Sequence, residues 1–220
     1  MKFKDREHAA SLLVQKLAKY RTQKPLVLGI PRGAVPMAKI IADGLNGELD
    51  VVLVHKLGAP GQPEFAIGAV DEKGRVYLTD FAAELEISPQ YVVREKEEQL
   101  QTLHRRRAQY TPLRSPIDPS GRVVIVVDNG IATGATMIAA LRSVREEGPA
   151  KLVGAVAVLP LSTLREIRKY ADEIVYLDTP EDFMAVGQYF DDFSQVTDEQ
   201  VIATLRRVSA GEESKEKSVA

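Results

Sequence analysis

The stretch VVIVVDNGIATGAT, residues 123–136, places an acid, an amide and a run of small residues directly behind an apolar segment. Arg122–Asp128 reads as a buried strand of a parallel sheet. It delivers Asp128 and Asn129 to its C-terminal end, the edge of an open α/β sheet where ligands bind. The turn that follows carries Gly130, Ala132, Gly134 and Ala135, and small residues let backbone N–H groups approach an anion closely. Thr133 and Thr136 add hydroxyl donors. A helix predicted over Thr136–Glu147 points its positive end at the same place. This is the chemistry of a phosphate cradle with a carboxylate beside it, and the carboxylate suits sugar hydroxyls or a magnesium ion. No Lys-Ser or Lys-Thr follows Gly134, so the segment is not a P-loop. An ordinary strand-to-helix turn also uses these residue types.

Two cations stand at comparable strand ends. Arg32 follows the apolar run PLVLGI and precedes Gly33; it offers a planar charged fork, and Gly33 offers close backbone approach. Lys56 ends the apolar run DVVLVHK. Arg32 alone could be a surface cation, and Lys56 could pair with Asp50 or Glu64. His8, His55 and His104 show no metal-ligand spacing, and no metal ligand set can be read from the sequence. Arg105-Arg106-Arg107 could bind a phosphate or a partner, but such runs are more often a solvated helix face. Phe183, Tyr189, Phe190 and Phe193 could stack on a ring or pack the C-terminal segment onto the core.

The elements that must hold these groups alternate between strand and helix. A helix is predicted over Asp5–Tyr20, a strand over Pro25–Ile30, a helix over Ala34–Leu45 and a strand over Asp50–Lys56, which is a βαβ pattern. Gly58, Pro60, Gly61 and Pro63 predict a mobile loop over 57–63. Glu64–Thr79 reads as a β-hairpin turning at Glu72-Lys73-Gly74. Ser88-Pro89 opens a long polar helix that runs to Tyr110. Beyond the central strand, two more αβ units follow, and Thr197 with Gln200 forms a capping box for a last helix. The tail from Ser209 is rich in Ser, Glu and Lys and reads as disordered. One α/β domain over 1–208 accounts for the rest, with 57–110 as a loop, hairpin and helical insertion.

The 220 residues include 29 Lys and Arg against 31 Asp and Glu, a net charge of −2, and 45% are hydrophobic. That supports a packed core and gives no electrostatic reason to expect nucleic acid. With no Cys in the chain, disulfides, Cys-based zinc sites and thiol catalysis are excluded. No window is apolar enough to span a bilayer, and MKFKDREHAA lacks the apolar core of a secretory signal, so a cytoplasmic protein is expected.

Residues 123–136 resemble the PRPP-binding signature of the type I phosphoribosyltransferases: an apolar run, two acidic positions, three loose positions, then Thr-Gly-Gly/Ala-Thr. IPRGAVP resembles that family's pyrophosphate loop, and VHKLGAP sits where the family places a basic residue. The GAPxxPE-AIGAV stretch and the late FMAVGQYFDDF segment (Phe183–Phe193) look like a bacterial group of such proteins whose base substrate is not established. The resemblance implies an α/β fold: a three-layer, Rossmann-like core around a parallel sheet, with a small hood and a β-hairpin/helix insertion. It implies that Ala132, Thr133, Gly134, Ala135 and Thr136 hold the ribose 5-phosphate. Asp128 and Asn129 would contact the ribose hydroxyls, Arg32 and Gly33 would hold pyrophosphate, and Lys56 would add a second cation. Asp128, Asn129 and Lys56 would thus serve catalysis, with Mg2+ accompanying PRPP.

The implied reaction joins ribose 5-phosphate to a nitrogenous base and releases pyrophosphate, with closure of 57–63 excluding water. Relatives also make a homodimer a possible partner state. Asn129 departs from the acidic pair. Asn can bond a hydroxyl but supplies no charge to a metal shell. It therefore keeps open an alternative, a PRPP- or nucleotide-binding regulatory protein without transferase activity. A hydrolase using Asp128 as nucleophile lacks the second acid it would want nearby.

Overall fold

Buried apolar runs set the frame of this computed structural model, which describes residues 1–79, 82, 84–110 and 116–206, without the side chains of Pro63 and Glu64. Strands β1 (Leu26–Gly29), β2 (Glu48–Val51), β6 (Val123–Gly130), β7 (Lys151–Val158) and β8 (Glu173–Asp178) form one parallel sheet in the order β2-β1-β6-β7-β8. Side chains alternate across such a sheet. Ile125 and Val127 of β6 therefore enter the core under α1 (Arg6–Lys16) and α2 (Val35–Gly44), while Val124 and Val126 face α4 (Ala135–Arg145) and α5 (Leu161–Ile167). The result is the three-layer α/β architecture expected from the sequence. Gly29 shows how tight the packing is: a Cβ there would lie 3.0 Å from both the Val35 Cα and the Ala38 Cβ of α2.

The strand expected over Asp50–Lys56 is two strands. β2 ends at Val51, and β3 (Val54–Ala59) begins a separate antiparallel sheet of order β3-β4-β5, with β4 at Gln62–Asp71 and β5 at Val76–Leu78. The change of sheet satisfies the backbone on both sides: Val52 N–H donates to the Gly29 carbonyl at 3.2 Å, and the Leu53 carbonyl accepts from Glu72 N–H at 3.1 Å. All of residues 50–54 are buried, so hydrophobicity does not mark where one sheet ends and the next begins.

The mobile loop expected over 57–63 is also corrected. Those residues form the tip of the β3–β4 hairpin, where Ala59 pairs with Gln62 around Pro60-Gly61. Gly61 takes the left-handed conformation (φ 72°) that the turn requires. The register shifts around Gly58, a bulge. Glycine and proline here mark a bulge and a tight turn rather than an open loop.

The β4–β5 turn falls at Glu72-Lys73-Gly74 as expected, with Gly74 at φ 79°. Fully buried Asp71 ties it together by accepting from Lys73 N–H, Arg75 N–H, Arg75 Nε and the Tyr77 hydroxyl. Helix α3 (Pro89–Tyr110) starts with Ser88 Oγ accepting from Tyr91 N–H at 3.2 Å. It covers the antiparallel sheet with buried Leu103 and Tyr110. Its arginine run is not one solvated face, because Arg107 makes two bonds of 2.7 and 2.6 Å to Glu72.

A last helix spans 198–206, and Thr197 and Gln200 cap it reciprocally, Thr197 N–H to Gln200 Oε1 at 2.9 Å and Gln200 N–H to Thr197 Oγ1 at 3.3 Å. The predicted tail, from Ser209, lies outside the described residues.

Candidate functional site

Strand β6 runs past the end of the core, pairing through Gly130 with Val158 of β7, before the chain turns through Ile131–Gly134 into α4. Gly134 holds φ 88°, and no side chain caps the first turn of α4. The first amides of that helix are therefore left to other acceptors. Thr163 on α5 donates from Oγ1 to the Ala132 carbonyl at 2.6 Å. The loop closes one side of a cavity of about 270 Å³, lined by Lys56, Ala66, Asp128, Gly130–Met137 and Val186.

Asp128 stands at the floor of that cavity. Its Oδ1 accepts from Asn129 N–H at 2.7 Å. Part of its surface faces the cavity, but the carboxylate is deeply packed. Loss of hydration pushes its pKa up to about 7, and the bond from Asn129 N–H opposes the rise. The carboxyl therefore ionises much less readily than a solvated one. The side-chain oxygen of Asn129 is buried with no hydrogen-bond partner. Its amide packs against the chain at Gly33, where a Cβ would come within 2.3 Å of Asn129 Nδ2. Only glycine leaves that amide its place.

The Pro31–Arg32 peptide is cis. Arg32 reaches away from the cavity to Asp198 at the start of the last helix, Nη1 to Oδ2 3.3 Å. The buried Tyr110 hydroxyl donates to the other oxygen of Asp198 at 3.1 Å, and Arg106 Nε lies 3.8 Å from it. Burial and then the Asp198 charge push the Tyr110 pKa up, so the hydroxyl keeps its proton. Lys56 comes from β3. His55 beside it donates from Nδ1 to the Lys56 carbonyl at 3.0 Å, and burial lowers its pKa, so it is neutral at pH 7.

Of the residues singled out from sequence, Lys56, Asp128, Ala132, Thr133, Gly134, Ala135 and Thr136 share one cavity. Gly33 and Asn129 pack against each other, but neither lines that cavity. Arg32 does not line the cavity, because Asp198 holds its guanidinium. Phe190 and Phe193 pack on each other at 4.8 Å, with Phe3 against Phe190 and Arg6 over Phe193. Phe183 stacks on Tyr189 at 5.6 Å. Among the described residues no group of three or more His, Cys, Asp or Glu gathers to hold a metal.

Sequence reading misses Ala66, Val186, Thr163, Asp198 and Tyr110. Val186 lies in the FxAVG segment that carries part of the resemblance. Thr163 and Asp198 reach the site only through topology and have no local signal.

Residues 4–194 match the phosphoribosyl transferase domain family. Two Mycobacterium tuberculosis proteins, from strains CDC 1551 / Oshkosh and ATCC 25618 / H37Rv, each named "Putative phosphoribosyl transferase", are 41% identical over 206 residues. The match takes in 93% of this chain and 46% of theirs, so the chain spans about half the length of these curated relatives. The solved structure of TT1426 from Thermus thermophilus superposes with a TM-score of 0.81 at 47% identity, covering 94% of this chain and 99% of that one. By the extent of that match and of these relatives, the chain belongs to the phosphoribosyl transferase domain family.

Proposed function

We propose that the protein is a magnesium-dependent phosphoribosyltransferase. It binds PRPP, moves the ribose 5-phosphate group to a nitrogenous base or similar nucleophile, and releases pyrophosphate. The observation that carries this reading is the single cavity that joins an uncapped helix start, the Ala132–Thr136 loop, Asp128 and Lys56.

The loop amides and the Thr133 and Thr136 hydroxyls hold the 5-phosphate. Asp128 and Asn129 receive the ribose hydroxyls; with a turn of its amide, Asn129 gives its buried oxygen the donor it lacks. Gly33 brings backbone close to the pyrophosphate, and Lys56, with Arg32 released from Asp198, meets its charge. The nitrogen lone pair forms the new bond to C1 as the C1–O bond breaks. The bonding electrons leave on pyrophosphate, and the nitrogen releases its proton. The protein contributes position and electrostatic stabilisation, with no covalent intermediate. Strands β3 and β4, which bring Lys56 and Ala66 to the lining, screen that side of the cavity from water.

The donor set fits a magnesium ion that arrives on the substrate. Magnesium keeps waters and binds through one or two carboxylates plus phosphate oxygens, and Asp128 is the carboxylate at hand. When bound, the ion neutralises charge on the pyrophosphate. We read residues 1–208 as one domain acting in the cytoplasm on small molecules. No described helix is long and apolar enough to cross a membrane.

Incubation with PRPP, magnesium and a panel of bases tests the reading by pyrophosphate release. Failure to bind PRPP refutes it. Binding without turnover on any base favours the regulatory alternative, which rests on Asn129. Asn129→Asp then separates the two: a gain of turnover marks a weakened enzyme, and none marks a sensor.

A further inference from the structure

We infer that Thr163 is a positioning residue: its hydroxyl sets the direction of the loop amides that receive the phosphate. This rests on the ribose-phosphate reading of the cavity and adds a residue from outside the loop and outside the cavity lining.

The argument begins with the peptide plane between Ala132 and Thr133. In a trans peptide the carbonyl and the following N–H point in opposite directions. Thr163 Oγ1 donates to the Ala132 carbonyl at 2.6 Å and so pulls that carbonyl toward α5. The Thr133 N–H is thereby turned away from α5. Thr133 and its neighbours on both sides line the cavity, while Thr163 does not. One bond beneath the loop thus decides which way its first donor faces.

Three further observations make Thr163 a fixed support. It is only 8% exposed, so little water competes for the Ala132 carbonyl. Its methyl group packs beneath Gly134, where a Cβ would stand 3.1 Å from Thr163 Cγ2 and 3.3 Å from Ile167 Cγ2. Its helix is anchored by buried Leu164 and Ile167. Gly134 needs its left-handed conformation to start α4, and Thr163 occupies the space that conformation leaves. The hydroxyl and the methyl group of one threonine therefore brace two successive parts of the loop.

Valine has the shape of threonine without the hydroxyl, so Thr163→Val removes the bond and keeps the packing. It leaves the Ala132 carbonyl without its partner. Re-ordering the freed loop on binding, at a cost comparable to one such bond, lowers affinity roughly tenfold.

The test uses the full chain and three variants, Thr163→Val, Thr163→Ser and Leu164→Ala. Ribose 5-phosphate binding is measured by calorimetry below each melting temperature. Leu164→Ala weakens the same helix without touching the hydroxyl. The expected result is about tenfold weaker binding for Thr163→Val. Thr163→Ser should stay within about twofold of wild type, and Leu164→Ala should keep its affinity despite a lower melting temperature. Wild-type affinity in Thr163→Val overturns the inference, as does an equal loss in Leu164→Ala. If the wild-type protein binds no ribose 5-phosphate, the reading of the cavity itself fails, and the inference falls with it.

Discussion

Replacing Asp128 by asparagine should stabilise the ligand-free protein, and the gain should grow with pH. The carboxyl is pushed from 3.8 to about 7 because folding strips it of water. Below the unfolded value both states hold the proton, and Asp128 costs nothing. As pH rises above 3.8 the unfolded chain ionises while the folded one does not. The cost grows until about pH 7 and is constant above it. A shift of about three units sets a ceiling of about 4 kcal/mol. The face turned to the cavity keeps part of its hydration, which brings the expected figure to about 1–3 kcal/mol.

The introduced amide would keep an oxygen to accept from Asn129 N–H and would carry no charge to bury. For a chain of this size a gain of that order raises the melting temperature by roughly 3–9 °C at pH 8. At pH 5 the gain should fall to about a third of that. Thermal unfolding of wild type and Asp128→Asn at about pH 5, 6, 7 and 8 gives the measurement. A gain that is the same at every pH, or a loss of stability at pH 8, refutes the assignment of a buried, reluctantly ionised carboxyl. The same variant should lose PRPP-dependent turnover, so the acid is retained at the expense of stability.

Gly33→Ala should fold with a small change in melting temperature but bind PRPP at least about tenfold more weakly, because its Cβ displaces the Asn129 amide 2.3 Å away; calorimetry with unchanged affinity would count against the contact. Asp198→Ala strands the buried Tyr110 hydroxyl beside two arginines and should cost about 1–3 kcal/mol in urea unfolding. In the Tyr110→Phe background the same change should cost clearly less, and additive losses would deny the coupling. Gly134→Ala forces a side chain into φ 88° against Thr163. It should lose roughly 1–2 kcal/mol together with ribose 5-phosphate binding, and wild-type binding would show that the loop tolerates another path. PRPP with magnesium at a hundred times its Kd should add about 2.7 kcal/mol to wild-type stability, and an unchanged melting temperature would argue against binding.

The parallel core is readable because its strands are buried on both faces and therefore form long apolar runs, as in β6 and β7. The phosphate loop is readable because every group it offers lies within one short run of consecutive residues. The junction at Val52-Leu53 is not readable: both sheets bury their strands there, so burial looks the same on either side. The 57–63 hairpin reads as a loop because Gly and Pro report local dihedral needs, and a bulge and a tight turn share those needs with an open loop. Arg32 is recognisable as a cation, but its resting partner Asp198 lies in the last helix, and only the tertiary fold brings the two together. Thr163 likewise reaches Ala132 across the sheet edge from α5.

The pairing of β1 with β6 has a consequence for how the site comes into being. Leu26 finds Val124 across most of the intervening chain, and Gly33 meets Asn129 only when that register is set. The antiparallel sheet that carries Lys56 is built instead from neighbours in sequence. Its closure costs little chain entropy, whereas the central pairing carries the high contact order that slows folding. The two halves of the site therefore rest on pairings of very different separation along the chain. Fraying of the β3–β5 sheet would remove Lys56 and leave the cradle of residues 132–136 in place, while loss of the β1–β6 pairing would separate Gly33 from Asn129. Protection across the β1–β6 pairing should then track global unfolding, and protection around Lys56 should be lost at lower free energy.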